Sequence, residues 1–405
     1  MKIRFAVVGL ALAAACWLCL AGGGGPQPAI AAAAAAPAPG ACTFPTSVVG
    51  SPAETAWRIF VAANCPANKK QLVWETWTEQ SLVYPASGKA PGGKAKRLHG
   101  SPLARVALLK KAGQNAELTP STECNAMASP PSNVVKGATV CEEVRLNPDA
   151  KKFVQDKKFQ YEIRPGQTAA AKKGTDIQFP TTAVEVKVDW IPGTDFDPPF
   201  TCSKPPKGVH VESIDGVCYA MAGMHINSKL LPNWIWATFE PQSMLTNPNR
   251  CITFGPCNDP WGSVPPTSNG GPSGFTQLSP ALKALMTNAH LAPEFLNYRL
   301  DGVQTEFGTA ENPTLLGNSI IEGENVGLKA GQASCITCHS VSSIENNGTD
   351  GATKLANQVG PEYVPPPGWI ARDFVWSMGL ACPNAPFQTC TSSSSTGSGK
   401  KDKGN

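Results

Sequence analysis

Charge is scarce in this 405-residue chain: 16% of residues are Asp, Glu, Lys or Arg, and the formal net charge is +4. Its lysine pairs, at 69–70, 110–111, 151–152, 157–158 and 172–173, are scattered rather than clustered. They read as solvated surface, and nothing points to nucleic acid. Histidine is rarer still, with five in all: His99, His210, His225, His290 and His339. No apolar run gives the roughly 20 residues of a comfortable membrane span. No internal repeat is visible, and no catalytic constellation stands out. Glycine and proline, by contrast, are plentiful at 38 each, which favours loops and short strands over long helices. Cysteine is also plentiful, at 14.

The N-terminus bears on the compartment. Lys2 and Arg4 precede an apolar run, Phe5 to Leu20, and the small-residue stretch "PAIAAAAAAPAPGA" follows. That pattern is the basic, apolar and cleavable order of a secretory signal peptide. Residues 1–40 are therefore expected to be signal and Ala/Pro leader, with cleavage between Ala31 and Ala41 and a periplasmic or secreted product. An uncleaved anchor, or lipidation at Cys16, is the rival reading. Cys16 and Cys19 would leave with the signal. Cys42, Cys65, Cys124, Cys141, Cys202, Cys218, Cys251, Cys257, Cys382 and Cys390 are then an even set suited to five disulfides. They fall in sequential pairs, so nearest-neighbour pairing is expected, with free buried thiols as the alternative.

The other two cysteines lie in "GQASCITCHSV", residues 331–341. A zinc site needs four ligands, and no second Cys/His pair lies at ligand spacing. A redox dithiol sits where a strand meets a helix in a βαβ pattern, which is missing here. Haem attachment accounts for every residue: Cys335 and Cys338 form thioethers to one haem c, and His339 is the proximal iron ligand.

The expected fold class is α+β. Residues 41–305 read as a mixed domain with a mainly antiparallel sheet. Ser51, Pro52 and Glu54 open a helix with Trp57, Phe60 and Val61 near one face. "QLVWETW", "KFQYEIRP", "AVEVKVDWIP", "VCYAMAGMHI" and "NWIWATFE" read as strands, about five in all. In the third, Val184, Val186, Val188 and Trp190 alternate with Glu185, Lys187 and Asp189. Segments 78–103 and 255–280 read as long loops. Residues 306–390 are expected to be a small, mostly α unit. "NPTLLGNSIIEG" reads as a helix capped by Asn312, with Leu316 and Ile320 on one face. "GWIARDFVWSMGLAC" reads as an amphipathic helix carrying Ile370, Phe374 and Met378. Residues 391–405 read as a disordered polar tail.

Helix, haem motif, loop and helix together resemble a class I cytochrome c domain over about 80 residues. A second resemblance rests on "HINSKLLPNWIWATFE" (225–240), "LGNSIIEG" and "SCITCHS". These look like a family of exported bacterial single-haem proteins whose members share an upstream His–x–x–x–Lys–x–x–Pro–x–Trp–x–Trp–Ala–Thr–Phe–Glu run. The match covers His225, Lys229, Pro232, Trp234, Trp236, Ala237, Thr238, Phe239 and Glu240. It departs at Pro241, where the family pattern has histidine, and in the stretch between Gly323 and Gln332. The resemblance implies a periplasmic haem protein and no particular reaction.

The sixth iron ligand separates the functions. Residues 340–367 contain neither Met nor His. His225 is the candidate distal ligand, and Met378, which spacing places in the core, is the weaker one. Strand alternation puts Met221, Gly223 and His225 on one face, with Gly223 leaving room for a planar group. Trp234 and Trp236 are expected to wall the haem. His99 reads as solvated, His210 as lining a strand end, and His290 as lying near a helix C-terminus. Asp189, Asp195 and Asp197, like Asn346, Asn347 and Asp350, resemble calcium ligands, but turn chemistry accounts for both groups and no calcium is expected. One-electron transfer to a redox partner protein is the preferred function. A haem enzyme or small-ligand sensor with an open distal position is the alternative, and a structural or glycan-binding role for the tryptophan-rich domain is the third option.

Overall fold

The computed structural model describes residues 40–84, 97–101, 123–160, 166–242, 257–266, 276–328, 332–351 and 359–381. All of them lie in one compact unit. Helix α1 (Pro52–Asn64) starts as its sequence predicts: the Ser51 hydroxyl accepts the Glu54 N–H at 3.1 Å, and Pro52 occupies the first turn. Trp57, Phe60 and Val61 are all buried against the sheet.

That sheet has eight antiparallel strands. They are β1 (Thr78–Glu79), β2 (Asn125–Ala126), β3 (Thr139–Leu146), β4 (Val184–Pro192), β5 (Val211–Ile214), β6 (Val217–Ser228), β7 (Ile235–Pro241) and β8 (Tyr298–Gln304). The spatial order is β1-β3-β4-β6-β7-β8, with β2 on β3 and β5 on β6. Helices α2 (Pro148–Asp156) and α3 (Pro280–Asn288) are likewise capped, by Asn147 and Ser279. His290 sits just past the end of α3 in a left-handed conformation.

One sheet face carries Val184, Val186, Val188 and Trp190, packed with Trp57, Phe60, Phe239 and Leu300. The opposite face is buried as well, although it carries Glu185, Lys187 and Asp189. There Val144 and Leu146 join Trp234, Trp236, Cys335, Ile344 and Met378 in a second core. The C-terminal unit read from the sequence thus shares its core with the sheet.

Several local expectations are overturned. "QLVWETW" is a 3-10 turn over Trp74–Thr76, not a strand; its aromatic residues anchor in the core without pairing. Lys158–Gln160 form a turn, and the rest of "KFQYEIRP" lies outside the described residues. No α-helix begins at Asn312. A π-helical segment, Ser319–Asn325, begins instead at Asn318, whose side chain accepts the N–H groups of Ile320 and Ile321.

The motif forms the short helix α4 (Cys335–Ser340), followed by β9 (Ser343–Glu345), which pairs with β10 (Trp369–Ala371). The last predicted helix is therefore absent. Its first residues are taken by β10, and Asp373 and Phe374 adopt positive φ of 50° and 69°, which no α-helix tolerates. Only a 3-10 turn, Trp376–Leu380, follows. The second helix of a class I cytochrome c plan is not formed.

Disulfides Cys42–Cys65, Cys124–Cys141 and Cys202–Cys218 follow the nearest-neighbour order. Cys257 is also disulfide-bonded, whereas Cys251, Cys382 and Cys390 lie outside the described residues. The three bonds fit an oxidising, extracytoplasmic compartment. Among the described residues, no helix is long and apolar enough to cross a membrane.

Candidate functional site

The short helix α4 lies over the polar face of the sheet. Cys335 and Cys338 are the free thiols, in a protein whose other described cysteines are bonded. His339, at the end of α4, sits 2.7 Å from the Phe374 carbonyl through Nδ1. A carbonyl only accepts, so Nδ1 carries the proton and Nε2 keeps its lone pair. The left-handed Asp373–Phe374 turn aims that carbonyl. Lys229 reaches Asp373 at 2.5 Å and the Pro232 carbonyl at 2.7 Å, which ties the turn to the loop before β7. On its other side His339 meets Trp236, with ring centroids 4.4 Å apart.

Two small cavities adjoin here. One, of about 30 Å³, is bounded by Lys187, His225, Glu322, Cys335, Cys338 and His339. The other, of about 50 Å³, lies between Glu142, Glu185, Asn227 and Trp376 and shares Lys187, His225 and His339. Each holds a few waters at most. Register builds this floor: Lys187 on β4 pairs directly with His225 on β6, and His225 with Thr238 on β7. His225 Nε2 has no hydrogen-bond partner and lies 3.3 Å from Glu322 Oε2.

The electrostatics follow from burial. Lys187 pairs with Glu142 at 2.6 Å. Burial would lower the Lys187 ammonium, but Glu142, Asp189 and Glu322 outweigh it and hold the pKa above the ordinary value. Burial likewise works to raise Glu322, but the neighbouring His225 and Lys187 hold its carboxyl below the usual range. Burial pushes the Cys338 thiol up to about 12, with Glu322 adding to it, and Cys335 well above its ordinary value for the same reasons. Thiols so protonated are unlike the acidic cysteines of dithiol oxidoreductases. Burial lowers His339 to about 4 against the pull of the Phe374 carbonyl, so the imidazole is neutral and competent to ligate.

The structure thus brings together Cys335, Cys338, His339, His225 and Trp236. Trp234 stands one ring back, 6.3 Å from Trp236 and 5.8 Å from the Lys229 ammonium. Met378 is fully buried in the second core and borders neither cavity.

The expected face for His225 needs correction. A bulge at Ala222 steps β6 so that Asp189 pairs with Gly223 and Trp190 with Met221. Met221 therefore joins Met224 and Ile226 in the first core, away from His225. Gly223 does admit a close neighbour, but it is Asn318, whose Oδ1 would lie 2.7 Å from an added Cβ. His99 is buried rather than solvated, with Nε2 2.7 Å from the Gln80 amide nitrogen.

Asp189 bonds Asn325 at 2.8 Å, and Asp195 accepts the Thr139 N–H at 2.9 Å. Asn347 accepts the Thr349 N–H within its turn, and Asp350 pairs with Arg372. Sequence reasoning missed Lys187 and Glu322. Lys187 shared the polar alternation of β4, but only strand pairing reveals that His225 lies beside it.

The donor set fits a c-type haem: two free thiols two apart, then a neutral histidine held through Nδ1 by a carbonyl, the usual support of a ligating imidazole. The fit rests on these donors, since the cavities are water-sized. Comparison with protein-family models, curated proteins and solved structures finds no match to the chain.

Proposed function

We propose that this is an exported single-haem c-type cytochrome that passes single electrons to or from a partner protein. The observation that carries the reading is the tethered His339: its Nδ1 is bound to the Phe374 carbonyl while it shares a cavity with Cys335 and Cys338, the free thiols. Cys335 and Cys338 would hold the haem and His339 would ligate its iron, while Trp236 packs the imidazole in place. Bound there, the haem supplies a one-electron iron couple. The chain's own residues orient the proximal imidazole, exclude water and set the charge around it through Lys187 and Glu322. These donors belong to α4, packed on the sheet, rather than to a separate class I domain, because the segment after the motif forms β10 and a 3-10 turn.

A second reading has one observation in its favour. His225 Nε2 lies beside Glu322 at 3.3 Å. A histidine beside a carboxylate could serve as a proton donor or acceptor, as in a haem enzyme or ligand sensor.

Acid–solvent extraction of the protein purified from the periplasm tests the main reading. The colour stays with the protein, and the intact mass exceeds the mature chain by one haem. Colour that partitions into the organic layer refutes covalent attachment. Carbon monoxide added to the reduced protein separates the two readings, since only an open position binds it readily.

A further inference from the structure

On the sheet face opposite α4, three side chains far apart in sequence converge. Glu75 comes from the 3-10 turn, His210 from the residue before β5, and Glu212 from β5 itself. One ligand atom from each lies within 4.8 Å of the others. Glu75 is 4% exposed and His210 13%. Oε2 of Glu75 accepts the Leu72 N–H at 2.7 Å. Its other oxygen, Oε1, is buried without a hydrogen-bond partner, and so is Nε2 of His210, 4.0 Å away. Two buried ligand atoms facing each other without a hydrogen-bond partner are costly unless something bridges them.

The surroundings favour a cation as the bridge. His210 Nδ1 lies 3.5 Å from Glu294 Oε1, so this carboxylate holds the ring from the Nδ1 side and turns Nε2 toward Glu75. A carboxylate behind an imidazole is the common support of a metal-ligating histidine. The ring is further held by stacking on Phe295, with centroids 5.1 Å apart. Glu212 is oriented from behind by Arg97, whose Nη2 lies 2.8 Å from Oε2. Arg145 offsets Glu143 at 2.7 Å. Arg97 is itself shared between Glu143, at 2.9 Å, and Glu212, which leaves the Glu75 carboxyl without a cation of its own.

We propose that Glu75, His210 and Glu212 form a binding site for a divalent transition-metal ion, zinc being the best fit to one imidazole and two carboxylates. Such a set supplies three of the four ligands of tetrahedral zinc, at about 2.0–2.2 Å each, and leaves one position for water. Tetrahedral ligands at these distances stand about 3.3–3.6 Å apart, so Glu75 and His210, at 4.0 Å, must close by about half an ångström around the ion. Without a cation, burial and then the neighbouring Glu212 push Glu75 up to about 8. A proton bridging Glu75 and Glu212 is the alternative occupant. The site is independent of the haem reading, because the sheet separates it from Cys335, Cys338 and His339.

The rival occupant is that proton alone, shared between Glu75 and Glu212. Calorimetric titration of the tag-free, chelator-washed mature protein with zinc chloride, in two buffers of different ionisation enthalpy, decides between them. We expect one zinc per chain. Affinity should fall at least about tenfold in Glu75→Gln and in His210→Gln, and about tenfold in Glu294→Gln. Circular dichroism checks that the variants fold. If either does not, anomalous scattering at the zinc edge from wild-type crystals reports the same site directly. No stoichiometric binding at micromolar zinc, or binding undiminished in both ligand variants, overturns the proposal.

Discussion

Replacing Lys229 by methionine keeps the aliphatic stem and removes the ammonium that faces Asp373. Side-chain exposures are 6% for Lys229 and 1% for Asp373, so the carboxylate would be left buried and uncompensated. Breaking a buried pair from one side costs about 3–5 kcal/mol. Asp373 has a partial escape, because it can take up a proton. Burial already raises its carboxyl above the ordinary value despite Lys229. Removing Lys229 raises it further. The folded variant then binds a proton that the unfolded chain releases, so its stability falls as pH rises above the unfolded carboxyl value of about 3.9. The gap between wild type and Lys229→Met should therefore be wide near about pH 8 and narrower near about pH 5.

Urea unfolding followed by far-ultraviolet circular dichroism at both pH values measures that gap. Adding Asp373→Asn to Lys229→Met should recover at least half of the loss, since asparagine tolerates the positive φ of 50° found at this position and carries no charge. Lys229→Met also loosens the Phe374 carbonyl that holds His339, so on the proposed haem reading the absorption spectrum should shift as well. A gap below about 1 kcal/mol, the size of an exposed pair, or a gap independent of pH, would refute the reasoning.

His225→Ala should convert a low-spin spectrum to high-spin if His225 ligates the iron, or weaken small-ligand binding if the position is open; an unchanged spectrum with unchanged affinity removes His225 from the distal side. Asn318→Ala should cost about 2–3 kcal/mol in urea unfolding, because its side chain caps Ile320 and Ile321 and donates to Thr238 Oγ1 at 2.9 Å, all of it buried. In the unfolded, unreduced protein, Cys42, Cys65, Cys124, Cys141, Cys202 and Cys218 should resist a thiol reagent, and peptide mapping that finds any of them labelled contradicts the disulfides.

Much of the local structure was legible along the chain. Ser51 with Pro52 marked the start of α1, because a cap needs only neighbours three residues away. The alternation in "AVEVKVDWIP" and the run "NWIWATFE" marked β4 and β7, because each strand's period is local. Cys335, Cys338 and His339 marked a candidate site, because their spacing is local, and the structure gathers them around one cavity. The three described disulfides followed sequential order, because short loops bring those thiols together.

Other features depend on contacts between distant segments, which no local period encodes. Alternation separated Glu185, Lys187 and Asp189 from the first core, but only the closure of α4 and β10 over that face made it a buried polar floor. The bulge at Ala222 turned Met221 away from His225, a shift set by pairing with β4. "GWIARDFVWSMGLAC" has helical spacing, yet the pairing of β9 with β10 and the Lys229–Asp373 contact hold it extended and then left-handed. Glu75, His210 and Glu212 stand more than a hundred residues apart at their widest, and only folding brings their orphaned atoms face to face. Sequence determined which residues could cap, alternate or offer donor atoms; tertiary packing decided which polar groups were buried together, because register and desolvation arise only when distant segments meet.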